Sequence, residues 1–292
     1  MNPHCNYCGG GDLVKKGRRY NKKLTKQTYF CKPCNRKFTL DDGFWKMKNT
    51  PEIITEALDL YNSGLSLNKA SEHLYKHHNT KVSARSILNW VIKYAKFLSS
   101  FVIKLIPKIK GRIHEDEVVV KVKKRKRWYW QAKDSKTKFK FSGNLTNRGY
   151  REGAYPLSKQ IKDRCYGQFL ERKKKGKRIR FVSDGLEHYL KAYKKLFNRV
   201  ALITHGVPIK ARKRGLKHNN NCMERENSRV KQRYKVMRGF KVNESGELIL
   251  QFMDILYNFT YVPLNKKKTP AEMAEIKLSL GRNRLLGLIN IF

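Results

Sequence analysis

Apolar residues change their spacing several times along this chain, and each change marks an element. Between residues 50 and 100 the period is helical. "TPEIITEALDLYNSG" has Thr50 as a cap, Pro51 at the first helical position and Gly64 as a stop. "SLNKASEHLYKHH" follows with Ser66 as its cap. After the turn "NTKV", "SARSILNWVIKYAKFL" opens on Ser83 and sets Ile87, Val91 and Ala95, with Leu88 and Ile92, along one stripe flanked by Trp90. Pro107 and Gly111 then break an apolar, β-branched stretch. Beyond them the period falls to two: Val118 and Val120 alternate with Val119 and Lys121, a basic turn follows, and "RWYWQAKD" and "KFKFSGNL" read as two more strands. "RGYREGAYPLSKQIKDRCYGQFLERKKKGK" is helical up to Gly176. "RIRFVSDG" is a buried strand, "LEHYLKAYKKLF" an amphipathic helix and "RVALITHG" a short strand. A helix follows the last strand in "NNNCMERENSRVKQRYKVMRGF", where Met223, Val230, Tyr234 and Met237 form its apolar stripe.

Three antiparallel strands, a helix and then β-α-β is the strand order of a ribonuclease H-like fold. The expected class is therefore α/β: a mixed five-stranded sheet with helices, preceded by a small zinc ribbon and a helical helix-turn-helix domain. The expected divisions are 1–48, 49–110, 111–265 and a C-terminal tail at 266–292. The ribbon rests on Cys5 and Cys8, then Cys31 and Cys34. Each pair has two residues between its cysteines, a spacing that aims four thiolates at one Zn²⁺ and replaces the core so short a segment lacks. Cys165 and Cys222 have no partner at ligand spacing and read as ordinary thiols. The two short helices with a tight turn fit a helix-turn-helix whose second helix presents Arg85, Ser86, Asn89 and Lys93 to DNA.

Charge sharpens this picture. The 292 residues carry 66 Lys and Arg against 23 Asp and Glu, a net charge of +43, which points to a nucleic acid partner. Residues 111–292 hold 45 of the basic residues and 16 of the acids, so the third division is the main polyanion surface. No apolar run spans a bilayer and the N-terminus has no signal-peptide core, so the expected location is cytoplasmic and nucleoid-associated, with no membrane partner. Within the basic third division, Asp116 opens the first strand, Asp184 follows "IRFVS", and Glu224 lies early in the helix after the last strand. In a ribonuclease H-like sheet the first two meet, and a packed helix adds the third. Such a carboxylate set repels itself unless hard cations such as Mg²⁺ are present, and two such ions activate and stabilise oxygens at phosphorus. Glu115 and Glu117 flank Asp116; strand parity separates Asp116 from both but does not choose between them. Lys231, two helical turns beyond Glu224, is placed to touch phosphate. Glu226 is expected on the opposite, solvated side with Arg229 and Arg233.

From Asp116 onward the chain resembles the DDE transposases of insertion sequences, most closely the insertion sequence 6 family. The matching pieces are "DEVVVKVKKRKRWYWQAKD", "TNRGYREGA", "FVSDGLEHY", "NCMERENSRVKQR", "MRGF" and "TPAEMA". The ribbon and the helices ending "ILNWVIKYAKF" resemble archaeal members. The resemblance implies that Asp116, Asp184 and Glu224 are the catalytic triad holding Mg²⁺ or Mn²⁺, and that Lys231 is the basic residue following it. It decides for Asp116 over its neighbours. It also implies cleavage at transposon ends and strand transfer into target DNA, by a homodimer or higher assembly on double-stranded DNA. Arg148 and Arg229, inside the matching pieces, are expected to add DNA contacts. The 39 residues between Asp184 and Glu224 exceed the family's expectation, and the extra length is assigned to the basic loop "GVPIKARKRGLKHNNN". The alternative is a non-catalytic DNA-binding regulator built on the ribbon and the helix-turn-helix.

Overall fold

The computed structural model describes the chain apart from residues 1–2, 22–23, 41–42, 45–46, 206–219, 265 and 292, and the side chains of 21 and 24. The assigned extra loop therefore lies almost wholly outside the described residues. Three strands, β1 (Leu13–Asn21), β2 (Leu24–Cys31) and β3 (Arg36–Thr39), form an antiparallel sheet in the order β1-β2-β3. Its core is small: Cys5, Cys31 and Phe38, with Leu13, Tyr29, Cys34 and Leu40 packed against them.

Helices α1 (Pro51–Asn62), α2 (Leu67–His78) and α3 (Ala84–Val102) follow. Their caps are the expected ones: Thr50, Ser66 and Ser83 each accept a backbone N–H from three residues on. Helix α3 runs through "SSFV" to Val102, further than its apolar stripe suggested, because Leu98 and Val102 continue that stripe into the core.

The second sheet has the order β6-β5-β4-β7-β8. Its strands are β4 (Ile113–Val122), β5 (Arg125–Asp134), β6 (Lys140–Thr146), β7 (Ile179–Ser183) and β8 (Ala201–His205). The first three are antiparallel, and β7 and β8 run parallel to β4. This is the ribonuclease H-like arrangement expected from the strand order. The β4–β5 hairpin turns on Lys123 and Lys124, both with positive φ, as a two-residue turn requires. A wide turn, Tyr150–Ala154, leads into α4 (Tyr155–Lys174). Gly153 is required there, since a Cβ would fall within 1.9 Å of the Trp130 ring. Helix α5 (Glu187–Leu196) joins β7 to β8; α6 (Asn221–Met237) and α7 (Asn243–Phe259) follow, then the short α8 (Pro270–Met273) and α9 (Arg284–Asn290).

The period-two pattern divides the sheet into two faces. Glu115, Glu117 and Trp130 point toward α4 and α5, through Ser158 and Tyr189. Asp116, Tyr129, Gln131, Lys133 and Lys140 point toward α6 and α7. One continuous apolar core runs from Phe44 through the helices and the sheet to Ile289. The C-terminal segment belongs to it: Asn283 donates to Thr55 at 3.1 Å and Ile289 packs against Gly43.

Candidate active site and metal centres

The acids meet at the edge of β4. Its pairing with β7 runs through Ile113↔Phe181 and His114↔Val182, and the same register carried two residues further sets Asp116 opposite Asp184. β7 ends at Ser183, so no strand lies beside Asp116 and Glu117 on that side, and carboxylates from both faces of β4 reach round the gap. Carboxylate oxygens of Asp116, Glu117 and Asp184 lie within 4.8 Å of one another. Asp184 sits on a sharp turn: its Oδ1 accepts the Leu186 N–H at 3.1 Å, and Gly185 takes φ +96°.

Burial raises Asp116 to a pKa of about 6, and the charges of Asp184 and Glu224 push in the same direction against hydrogen bonds from Glu117 N–H and Asn227. Glu117 is raised for the same reasons, burial first and then Asp184 and Asp116. It is nevertheless partnered: Arg148 Nη2 donates at 2.9 Å and Tyr189 Oη at 3.1 Å. Glu115 is different. It is fully buried with Ser158, and burial lifts it to about 8, so it is a neutral acid in the interior at physiological pH. Asp116 and Glu117, raised by burial first and then by neighbouring charge, form with Asp184 a donor set suited to a hard divalent cation.

Glu224 is exposed in the first turn of α6, outside the 4.8 Å group but near enough for its charge to act on Asp116. Among the described residues it makes no ion pair. Asn227, one turn further, donates to Asp116 Oδ2 at 2.8 Å and accepts from Gln131 Nε2 at 2.6 Å. Sequence reasoning passed over this residue, although its spacing of three from Glu224 places it on the same helix face. Lys231 is exposed four residues beyond Asn227.

Glu226 overturns the expectation of a solvated ion pair. The buried face of α6 is Met223, Glu226, Val230 and Arg233, and Tyr234 and Met237 are only partly covered. Lys133 Nζ meets Glu226 Oε1 at 2.5 Å and Lys140 Nζ meets Oε2 at 3.2 Å; Lys140 also pairs with Asp254, which accepts the Tyr129 hydroxyl at 2.7 Å. Burial works to raise the Glu226 pKa, but Lys140 and Lys133, helped by Arg229, outweigh it and hold it at about 2. Lys133, with one carboxylate, is lowered by burial; Lys140, with two, is held above the usual lysine range despite burial. Arg229 lies over the Tyr257 and Tyr261 rings, 4.6 and 4.8 Å from their centroids, on this side of the helix. Arg233 is also buried, 3.5 Å above the Tyr61 ring centroid, and donates to the Leu65 carbonyl at 2.9 Å.

In the N-terminal sheet the four cysteines converge. Cys5 and Cys34 sulfurs are 3.6 Å apart, Cys8 and Cys31 3.5 Å, and all four lie within 4.8 Å. A tetrahedron with Zn–S bonds of about 2.3 Å has edges of about 3.8 Å, so this set can hold zinc with little movement. Cys165 and Cys222 stand apart from this group. On α3, Arg85, Asn89 and Lys93 are exposed along one face at spacings of four, and Ser86 is half-buried against the Ser83 hydroxyl.

A ribonuclease H-like sheet with aspartates meeting at the edge of its first strand defines the class of metal-dependent polynucleotidyl transferases. The family model described as a DDE domain, of the IS240 type of transposase, matches residues 110–260, and the chain belongs to this family of insertion-sequence DDE transposases. Among solved structures, the HTLV-2 integrase catalytic core domain in complex with magnesium is 12% identical, with 58% of this chain and 98% of that chain covered and a TM-score of 0.36. The intasome of simian T-cell lymphotropic virus is 12% identical, covering 75% and 72%, with a TM-score of 0.35. No curated protein sequence matches significantly. No helix among the described residues is long and apolar enough to cross a membrane.

Proposed function

We propose that the chain cleaves DNA at the ends of an insertion sequence and joins the freed 3′-hydroxyl to target DNA, with Asp116, Asp184 and Glu224 holding Mg²⁺ or Mn²⁺. The observation that carries this reading is the convergence of Asp116 and Asp184, under a helix bearing Glu224, in a chain of net charge +43. When bound, the cations supply charge neutralisation for phosphoryl transfer and an activated oxygen nucleophile. The chain's own residues do the positioning. Asn227 fixes the Asp116 carboxylate, the Asp184 turn fixes the second acid, and Lys231 takes a neighbouring phosphate. The ribbon holds zinc through Cys5, Cys8, Cys31 and Cys34. Arg85, Ser86, Asn89 and Lys93 read the transposon end, Arg229 adds a backbone contact, and Arg148 reaches DNA from its place beside Glu117. Two ends cut in concert call for a dimer or larger assembly on DNA.

One observation favours a second ligand assignment. Glu117, rather than Glu224, lies in the 4.8 Å group. Its bonds to Arg148 and Tyr189 support a positioning role, whereas Glu224 is exposed on the helix that covers the site. The test is Mg²⁺-dependent cutting and joining of labelled transposon-end DNA, with binding measured in parallel. Glu224→Gln should bind DNA and neither cut nor join it; Glu117→Gln should retain activity. The reverse pattern assigns the third ligand to Glu117. Sequence-specific binding by the parent without any cleavage would favour the regulator.

A further inference from the structure

The geometry points to a second transition-metal site, formed by Glu56 of α1 with His73 and His78 of α2, which takes Zn²⁺ and clamps the two helices together. The three residues offer one carboxylate oxygen and two imidazole nitrogens within 4.8 Å of one another. Both histidines bring Nε2 close to the same atom: His73 Nε2 lies 3.2 Å from Glu56 Oε1, and His78 Nε2, in hydrogen-bonding geometry, 2.8 Å. A tetrahedral ion with Zn–N and Zn–O bonds of about 2.0–2.1 Å spaces its ligand atoms about 3.3 Å apart, so two edges of such a tetrahedron are already close to formed. Without an ion, the Glu56 oxygen is hydrogen-bonded to His78 alone, and His73 crowds the same oxygen at 3.2 Å without a hydrogen bond to it. With an ion, both Nε2 lone pairs and the carboxylate point at a common centre, and the ring protons sit on Nδ1. Two histidines and a carboxylate suit Zn²⁺ and leave a fourth position for water.

Burial fits this role. Glu56, His73 and His78 side chains are 32%, 34% and 37% exposed, at the rim of the α1–α2 seam, so an ion could enter from solvent. Beneath them Ala57, Leu58, Ala70 and Leu74 are fully buried and fix the spacing of the helices. His77 lies tilted against the His73 ring, 4.3 Å between centroids, and stands outside the ligand group, which makes it a built-in control.

The test uses the full chain dialysed against buffered Zn²⁺, with bound metal counted per chain, and repeated with Co²⁺ read by visible absorption. The parent should hold about one zinc more than His78→Ala or His73→Ala, and His77→Ala should match the parent. Loss of the site should remove cobalt d–d bands while leaving the sulfur-to-cobalt charge-transfer bands of the ribbon unchanged. Added Zn²⁺, above the amount that fills the ribbon, should raise the melting temperature of the parent and not of His78→Ala. Circular dichroism of each variant checks that the helices persist, and Glu56→Gln offers a gentler substitution that should also lose the extra ion. Equal zinc content in parent, His78→Ala and Glu56→Gln would overturn the site and leave a hydrogen-bonded Glu–His cluster only.

Discussion

Two sets of acids lie in the same sheet-and-helix unit, one containing Glu226 of α6 and the other touched by the next residue, Asn227, and are treated in opposite ways. Glu226 and Asp254 are enclosed with Lys133 and Lys140, and the pKa of Glu226 is driven down to about 2. Asp116, Glu117 and Asp184 are crowded together, with Asp116 raised to about 6 and Glu117 also raised. The protein has 66 basic residues and spends buried ones on the first set. A carboxylate given a lysine is part of the framework. A carboxylate crowded with its like awaits a charge from outside the chain. Low pKa and burial thus mark structure here, and raised pKa at a half-open edge marks chemistry.

The largest effect should come from the crowded set. Asp184→Asn or Asp116→Asn should lower strand cleavage by on the order of 10³-fold or more, the scale of losing charge stabilisation in phosphoryl transfer. The same variants should melt no earlier than the parent without metal, since each removes one like charge. Early melting would break the comparison. The next largest effect belongs to the paired set. Glu226→Gln strands two buried ammonium groups with one carboxylate fewer and should cost about 3–5 kcal/mol of stability, read by denaturant unfolding. Activity then falls through loss of folded protein, not through loss of metal. The pH dependence carries a sign: the folded pKa of about 2 is below the ordinary 4.5, so the Glu226 contribution is complete above about pH 4.5 and drains away as pH falls toward 2.

Asp116 has the opposite sign. Its folded pKa of about 6 exceeds the ordinary 3.8, so metal-free stability falls as pH rises between those values. Protons and cations compete for the same oxygens. Mg²⁺ affinity, measured by titration of metal-dependent cleavage, should therefore rise between about pH 5 and 7 and then level off. An affinity flat across that range would detach Asp116 from the metal. The smallest effect is expected at Lys231, which faces solvent. Lys231→Ala should reduce the salt dependence of DNA binding by about one counterion and slow cleavage modestly. If it instead abolished metal binding, its partner would be the acid cluster and not phosphate.

The order of elements was legible because β4, β5 and β7 carry clean apolar periods, and the three helix caps are spelled out by Thr50, Ser66 and Ser83. The meeting of Asp116 and Asp184 was legible because one lies on β4 and the other directly after β7, the strand beside it. Glu226 was misread because helical periodicity knows only polarity. Its partners Lys133 and Lys140 lie about 90 residues away, on two other strands, and only the folded sheet brings them under α6. Glu117 was set aside on the family resemblance, because strand parity could not choose between Asp116 and its neighbours, and where β7 stops carboxylates from both faces of β4 reach the same gap. Asn227 had no charge to draw attention, yet it supports the aspartate that α6 covers.

Arg233 gives α6 a second anchorage. At one end the helix leans over the acids; near the other, this guanidinium lies flat on Tyr61 and is tied to the Leu65 carbonyl, in the turn that joins α1 to α2. The helix is a beam resting on two supports, and one of them is supplied by the N-terminal part of the chain. A fragment cut at residue 110, where the matched family domain begins, would keep every acid of the site but pull out one support. It would leave a buried arginine facing water, with Glu226 and its two lysines still holding the middle of the helix. The matched domain therefore draws one of its buried contacts from outside its own residues.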